Sequence, residues 1–256
     1  MVSNINTNSA NISWNSGDSA DGGYQVRYGT SGFDLASEGN SVLVSEQEDT
    51  TLYNLMQGVN YEADIAEICS NGDTSAYAGP ITFTTQCGGN NLPSLMIFDT
   101  TYPNCWSKSS SNAVTTSNTC GNNNTYTLQL NGQTGATAIT NTFNLSNTYS
   151  IEVSYDYRAG KDNNCGDTPE SNDSIGVTYW NGNHWIKLAK YSGGQAPKTF
   201  TSDQFIITNG LTDHFKLKFK VINGSGVNYD NWNFDSLKIQ EGTCPKVSYR
   251  IWTIRL

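Results

Sequence analysis

The chain has 256 residues, room for two ordinary domains, with 36% hydrophobic and only 14% charged. Lys and Arg total 14 against 23 Asp and Glu, a net charge of -9 with a pI near 4.6, which disfavours attraction to a nucleic-acid backbone. No stretch approaches the roughly 18 apolar residues of a membrane helix, so membrane insertion is not expected either.

The N-terminus, MVSNINTNSANISW, has neither the basic flank nor the apolar core of an export signal and reads as the start of a piece of a longer chain. Asn, Ser, Thr and Gly fill the spaces between short hydrophobic runs, and 14 Tyr and 6 Trp supply sheet formers. An all-β chain follows. The six Cys sit in Asn-rich and Gly-rich stretches, without a C-x-x-C pair or His at ligand spacing. They point to disulfides, and so to a secreted or cell-surface protein.

From residue 2 to about 87 the expected strands are NISW, YQVRYG, VLVSEQ, TTLYNL, NYEADIAEIC and PITFTT. Alternation in Tyr24, Val26, Tyr28 and in Tyr61, Ala63, Ile65 buries one face of each strand, with Trp14 expected between the two sheets. Glu46, Glu48 and Asp49 read as a solvated acidic run, and no His lies in this part. The spaced pattern SANISW, GYQVRYGTSGF, TLYNLMQGVNYEADIAEIC and GPITFTTQC resembles a fibronectin type III domain over most of residues 1–87. The resemblance implies that Trp14 is the core tryptophan and that Tyr61 is the tyrosine near the start of the sixth strand, packed on Leu55. It is closest to the bacterial extracellular version with one Cys in that strand and one closing the last. That implies a Cys69–Cys87 bridge and a spacer role.

Gly88 to Leu92 reads as a linker, and residues 88–243 carry about nine more strands, a number that suits a β-jelly-roll. They are LMIFD, TYTLQL, TAITNTF, YSIEVSYDYR, SIGVTYW, HWIKLAK, QFIIT, HFKLKFKVI and WNFDSLKI. Ile151, Val153, Tyr155, Tyr157 and Phe215, Leu217, Phe219, Val221 alternate most strongly and mark central strands. Asn181-Gly182 between SIGVTYW and HWIKLAK predicts a hairpin. Residues 244–256 read as a truncated linker toward a further module. Cys105, Cys120, Cys165 and Cys244 allow three connectivities, of which proximity favours Cys105 with Cys120.

The segments MIFDTTYPNCWS, NDSIGVTYWNGNHWIKL and YDNWNFDSLKI resemble, in this order, those of the jelly-rolls that include reelin sub-repeats, MAM domains and bacterial cleaved-adhesin domains. Ser107 to Asn147 does not align. In that group an acid from each segment converges on one Ca2+. Carried over by segment, the ligands are Asp99, Asp173 and Asp235, with Asn172 and Asp230 as secondary candidates.

A nucleophile signature around His184 or His214 is missing, no motif selects Glu152, Asp167 or Glu170 as a glycosidase pair, and Arg158 is the sole Arg between Gly88 and Cys244. Catalysis is therefore not expected. Trp106, Tyr179, Trp180, Trp185, Tyr191, Tyr229 and Trp232 lie at strand ends or in Asn/Gly-rich loops where a sugar could stack. The hairpin pair Trp180 and Trp185, with Tyr191, is the preferred contact. Lys216, Lys218 and Lys220 form a row opposite Phe215, Leu217 and Phe219, which in so acidic a chain points to a sulfated or uronic polysaccharide. The expected function is a non-catalytic carbohydrate-binding module, monomeric within a larger secreted chain, bound to a polysaccharide or cell-surface glycan. The alternatives are an adhesin segment recognising protein or cell surface, and a polysaccharide-degrading enzyme.

Overall fold

The computed structural model describes residues 1–15, 22–98, 101–110, 113–121, 125–160, 165, 169–226 and 230–242. The chain is all-β, built of antiparallel sheets, in two compact units, Met1–Gly88 and Gly89–Leu256, each a β-sandwich. Among the described residues no helix is long and apolar enough to cross a membrane.

Among the described residues the first unit has seven strands: β1 (Val2–Ser3), β2 (Ala10–Ser13), β3 (Tyr24–Thr30), β4 (Asn40–Val44), β5 (Asp49–Leu52), β6 (Asn60–Glu67) and β7 (Ala78–Thr84). They form sheets β1-β2-β5 and β4-β3-β6-β7. Ala10, Ile12, Val26, Leu52 and Ala63 fill the space between the sheets, where each aliphatic side chain larger than Ala contributes roughly 1.5–3 kcal/mol on burial. Trp14, expected at the centre, stands instead at one end of β2, half-buried and edge-on to Tyr24 at 5.1 Å. Tyr61 stacks on Phe83, belongs to the same core cluster as Leu55, and accepts the Met56 N–H at its hydroxyl at 2.9 Å. That bond is the tyrosine corner of such sandwiches.

Among its described residues the second unit has eleven: β8 (Ser94–Met96), β9 (Ser107–Lys108), β10 (Val114–Ser117), β11 (Thr127–Leu130), β12 (Thr137–Ile139), β13 (Ile151–Gly160), β14 (Ser174–Trp180), β15 (Trp185–Ser192), β16 (Thr201–Ile207), β17 (Lys216–Asn223) and β18 (Asn231–Glu241). One sheet runs β10-β11-β18-β13-β16, with β8 also on β18, and the other runs β15-β14-β17-β12-β9. Tyr155 and Phe234 from the first meet Phe219 from the second at 5.8 and 4.7 Å, which joins the sheets through aromatic edges. Two strands beyond the expected nine, β9 and β10, come from the Asn/Thr-rich stretch that has no alternation to announce them. The hairpin forms at the expected place, with Asn181 N–H donating to His184 C=O and Gly182 at φ 95°.

The cysteines pair differently from expectation. Cys69 is free, Cys120 bonds Cys165 with Cα atoms 5.5 Å apart, and Cys87 and Cys105 are each disulfide-bonded. The register explains the first correction: Asn60 faces Thr84 and Ile65 faces Ala78, so Cys69 follows β6 at one end of the ladder while Cys87 follows β7 at the other. Eight strand residues separate those ends by roughly 26 Å, against the roughly 4.4–6.8 Å between bridged Cα atoms. Cys105 and Cys120, near in sequence, flank strands of opposite sheets, since β9 lies in one and β10 in the other. Cys165, distant in sequence, instead lies against Gly160 beside Cys120. Cys244 and residues 244–256 are outside the described residues.

Removing the Tyr61 hydroxyl leaves the Met56 N–H without its partner. Tyr61→Phe is expected to destabilise the first unit by about 1–3 kcal/mol, read as a lower urea midpoint for its transition in the whole chain. An unchanged midpoint would show that the corner bond contributes nothing.

Candidate functional site

β14 and β17 are interior strands of the five-stranded sheet, and their pleat decides which side chains reach solvent. Ile175, Val177, Leu217, Phe219 and Val221 point into the sandwich and are fully buried. Their neighbours therefore point out. Directly opposed residues share a face, which yields three outward rungs. Trp185, Trp180 and Lys216 form the first, Lys187, Thr178, Lys218 and Ile139 the second, and Lys190, Gly176, Lys220 and Thr137 the third. None is acidic, and among the described residues no carboxylate makes an ion pair with the five lysines.

Lys187 and Lys190 join this face because of a β-bulge. Simple alternation sends residues three apart to opposite sides, but Val177 faces Ala189 while Thr178 faces Lys187, so Leu188 is the extra residue. Without that register shift the second lysine row would not exist. Sequence reading missed these two lysines, since a bulge leaves no mark in the alternation.

Trp180 and Trp185 meet at 5.4 Å with their planes 57° apart, so they do not form one flat platform. Lys218 Nζ stands 3.8 Å from the centre of the Trp185 ring, a cation–π contact that covers one indole face. Partial burial, and then the Lys220 ammonium, hold Lys218 below the usual lysine value. The Thr178 hydroxyl, on the rung between Lys187 and Lys218, is buried without a hydrogen-bond partner.

The other expected aromatic contacts lie elsewhere. Tyr191 points inward, opposite Ile175, stacked on Tyr157 at 3.9 Å, with its hydroxyl bonded to Tyr155 and donating to Asp203. Burial pushes its phenol far above the usual tyrosine value. It is partly buried against the core of the sandwich and does not stand on the outward face with Trp180 and Trp185. Trp106, Tyr179 and Trp232 are buried, and Tyr229 is outside the described residues. The outer face of the six-stranded sheet differs in kind: Thr127, Gln129 and Asn233 are buried there and hydrogen-bonded to one another.

The carboxylates regroup as well. Glu170, Asp173 and Asp230 bring one oxygen each within 4.8 Å of one another. Glu170 and Asp173 come from the segment leading into β14, and Asp230 stands just before β18 at φ 62°. The Ser225 hydroxyl bridges Glu170 at 3.1 Å and Asp173 at 3.0 Å, while Asn223 Nδ2 donates to the Asn172 carbonyl at 2.8 Å. Asp230 is 6% exposed, and its Oδ2 is buried with no hydrogen-bond partner. Burial, then the nearness of Glu170 and Asp173, pushes its carboxyl up to about 7.

Of the three main expected calcium ligands only Asp173 is in this cluster, joined by Asp230, one of the two secondary candidates. Asp235 lies on β18, five residues beyond Asp230 and roughly 16 Å away, opposite Asp156 and bonded to the Ser236 N–H and the Thr125 hydroxyl. Asp99 is outside the described residues. The fit to a hard cation is good: two oxygens each about 2.4 Å from one ion are at most about 4.8 Å apart, and an orphaned, buried carboxylate oxygen supplies a lone pair with no other use. Glu170 carried no metal reading in the sequence because its partners are 3 and 60 residues away.

No family model matches the chain, and no curated protein matches it. Among solved structures the chain is similar to the CBM22-1 xylan-binding domain from Paenibacillus barcinonensis Xyn10C, at 12% identity over 61% of this chain and 100% of that one, with a TM-score of 0.43. It is also similar to TmCBM61 in complex with beta-1,4-galactotriose, at 11% identity over 54% of this chain and 87% of that one, TM-score 0.37. The chicken CNTN1 FN1-FN3 domains show 25% identity over 34% of this chain and 30% of that one, TM-score 0.31. Likenesses below a TM-score of 0.5 leave the site to be read from this chain's own residues.

Three carboxylates crowded together repel when no cation is bound. In chelator, Asp230→Asn is expected to stabilise the second unit by roughly 1–2 kcal/mol, seen as a higher melting temperature. A lower melting temperature would mean that the cluster is held by something other than charge balance.

Proposed function

We propose that this chain is a non-catalytic carbohydrate-binding module of a secreted modular protein, with the fibronectin type III unit as spacer and the outer face of the five-stranded sheet as the glycan contact. The observation that carries the reading is that face itself: two half-buried indoles and a lysine row on an interior strand, with no ion pair among the described residues, in a chain whose net charge is -9. Indole provides the apolar surface on which a sugar ring rests, and an ammonium donates to hydroxyl, carboxylate or sulfate oxygens. An anionic polysaccharide uses both. The Cys120–Cys165 disulfide supports an oxidising compartment.

Affinity electrophoresis against xylan, alginate and carrageenan tests this. Retardation by one of them, lost in Trp180→Ala, is the expected outcome. Silence toward every glycan combined with binding to cells or proteins would replace the reading with an adhesin, and release of reducing ends from the same polymers would replace it with an enzyme.

The cluster of Glu170, Asp173 and Asp230 is proposed to hold Ca2+ in a structural role. An ion there ties the segment before β14 in one sheet to the start of β18 in the other. A calcium concentration 100 times its Kd stabilises the native state by about 2.7 kcal/mol, so melting should rise with calcium and fall back with chelator. Asp173→Ala should abolish the rise and Asp235→Asn should keep it. A rise that survives Asp173→Ala, or no rise at all, would remove calcium from this cluster.

A further inference from the structure

The outward face has lysines on both sides of β14. On β17, Lys216, Lys218 and Lys220 recur every roughly 6.6 Å, and on β15, two strand spacings or roughly 9.6 Å away, the bulge sets Lys187 and Lys190 on the second and third rungs. Between them β14 presents Thr178 and Gly176, both small residues. Even a Cβ at Gly176 would stand 2.9 Å from Ile222 Cδ1, which leans over it and is 47% exposed. The face is thus a corridor with cationic walls on two sides and the Trp180–Trp185 pair across one end; along β14 its floor is closed, with Ile222 over Gly176 and the Thr178 hydroxyl buried.

Resting on the glycan reading above, we infer that the ligand is a linear polysaccharide with acid groups along both edges, lying along β14 so that its two edges meet the β15 and β17 lysines. Two features separate this from a neutral sugar stacked on tryptophan. Lys218 already covers one face of Trp185, so that indole serves to hold an ammonium in place. The β17 lysines, moreover, are on an interior strand, where a lysine is not needed to guard a sheet edge against pairing; only those of β15 are on an edge. Lysine is a point charge that does not distinguish carboxylate from sulfate, so the chemistry shared by uronate and sulfated polymers defines the class.

The test compares Lys187→Ser/Lys190→Ser with Lys216→Ser/Lys220→Ser, leaving Lys218 on its indole. Kd for alginate, carrageenan and neutral xylan is measured across a salt series, with melting temperature confirming that each variant is folded. Both doubles should weaken anionic-polymer binding at least tenfold and flatten the dependence of log affinity on log salt, by up to about 1 per lysine removed. Binding to alginate alone, to carrageenan alone or to both identifies the acid group, and each result supports the corridor. If Lys187→Ser/Lys190→Ser leaves affinity and salt dependence unchanged while the β17 double loses them, the two-sided corridor is wrong and the glycan reading stands. Equal, salt-insensitive binding of xylan and alginate overturns the corridor in the same way. No binding of any polymer by the unmodified chain overturns both.

Discussion

The pleat of β17 is the constraint from which the rest follows. Phe215, just ahead of the strand, and Leu217, Phe219 and Val221 are driven into the sandwich by burial of their apolar surface, roughly 1.5–3 kcal/mol each. With the side-chain period fixed at two, Lys216, Lys218 and Lys220 then have no choice but the outer face. A slip of one residue would bury three ammonium groups, at a cost of several kcal/mol each. The same burial that builds the core therefore sets the lysines in a row, and pairing with β14 aligns them with Thr178, Trp180 and Gly176.

The carboxylate cluster and the lysine face divide the charge of the second unit. Glu170, Asp173 and Asp230 gather where β14 begins and just before β18, while the five lysines stand on β15 and β17 with no acid on their rungs. The acidic end favours a cation, and the basic face favours a polyanion.

Alternating strands were legible from sequence because one face of each is apolar. Tyr155 and Tyr157, Phe219 and Val221, and the Asn181-Gly182 turn fall where the pattern places them. What was not legible depends on register between distant strands. Ser107–Lys108 and Val114–Ser117 are short, polar strands defined by their partners alone. The bulge at Leu188 re-aims Lys190 without altering composition, and Tyr191 is turned inward by the same ladder. Which acid of β18 and its approach meets Asp173 was likewise a question of position along a strand. Segment matching put Asp235 first and Asp230 second, whereas it is Asp230, just before the strand, that meets Glu170 and Asp173. The Cys69–Cys87 expectation failed for a similar reason, as an antiparallel ladder puts those residues at opposite ends.

The central claim is that the outer face of the five-stranded sheet binds an acidic glycan. Amide chemical-shift mapping of the 15N-labelled chain during titration with an acidic oligosaccharide tests it most directly. The account predicts shifts concentrated on β14, β15 and β17, strongest near Thr178, Lys187 and Lys218, and reversed by salt. Shifts confined to β13, β16 and β18 of the opposite sheet, or to the first unit, would contradict it.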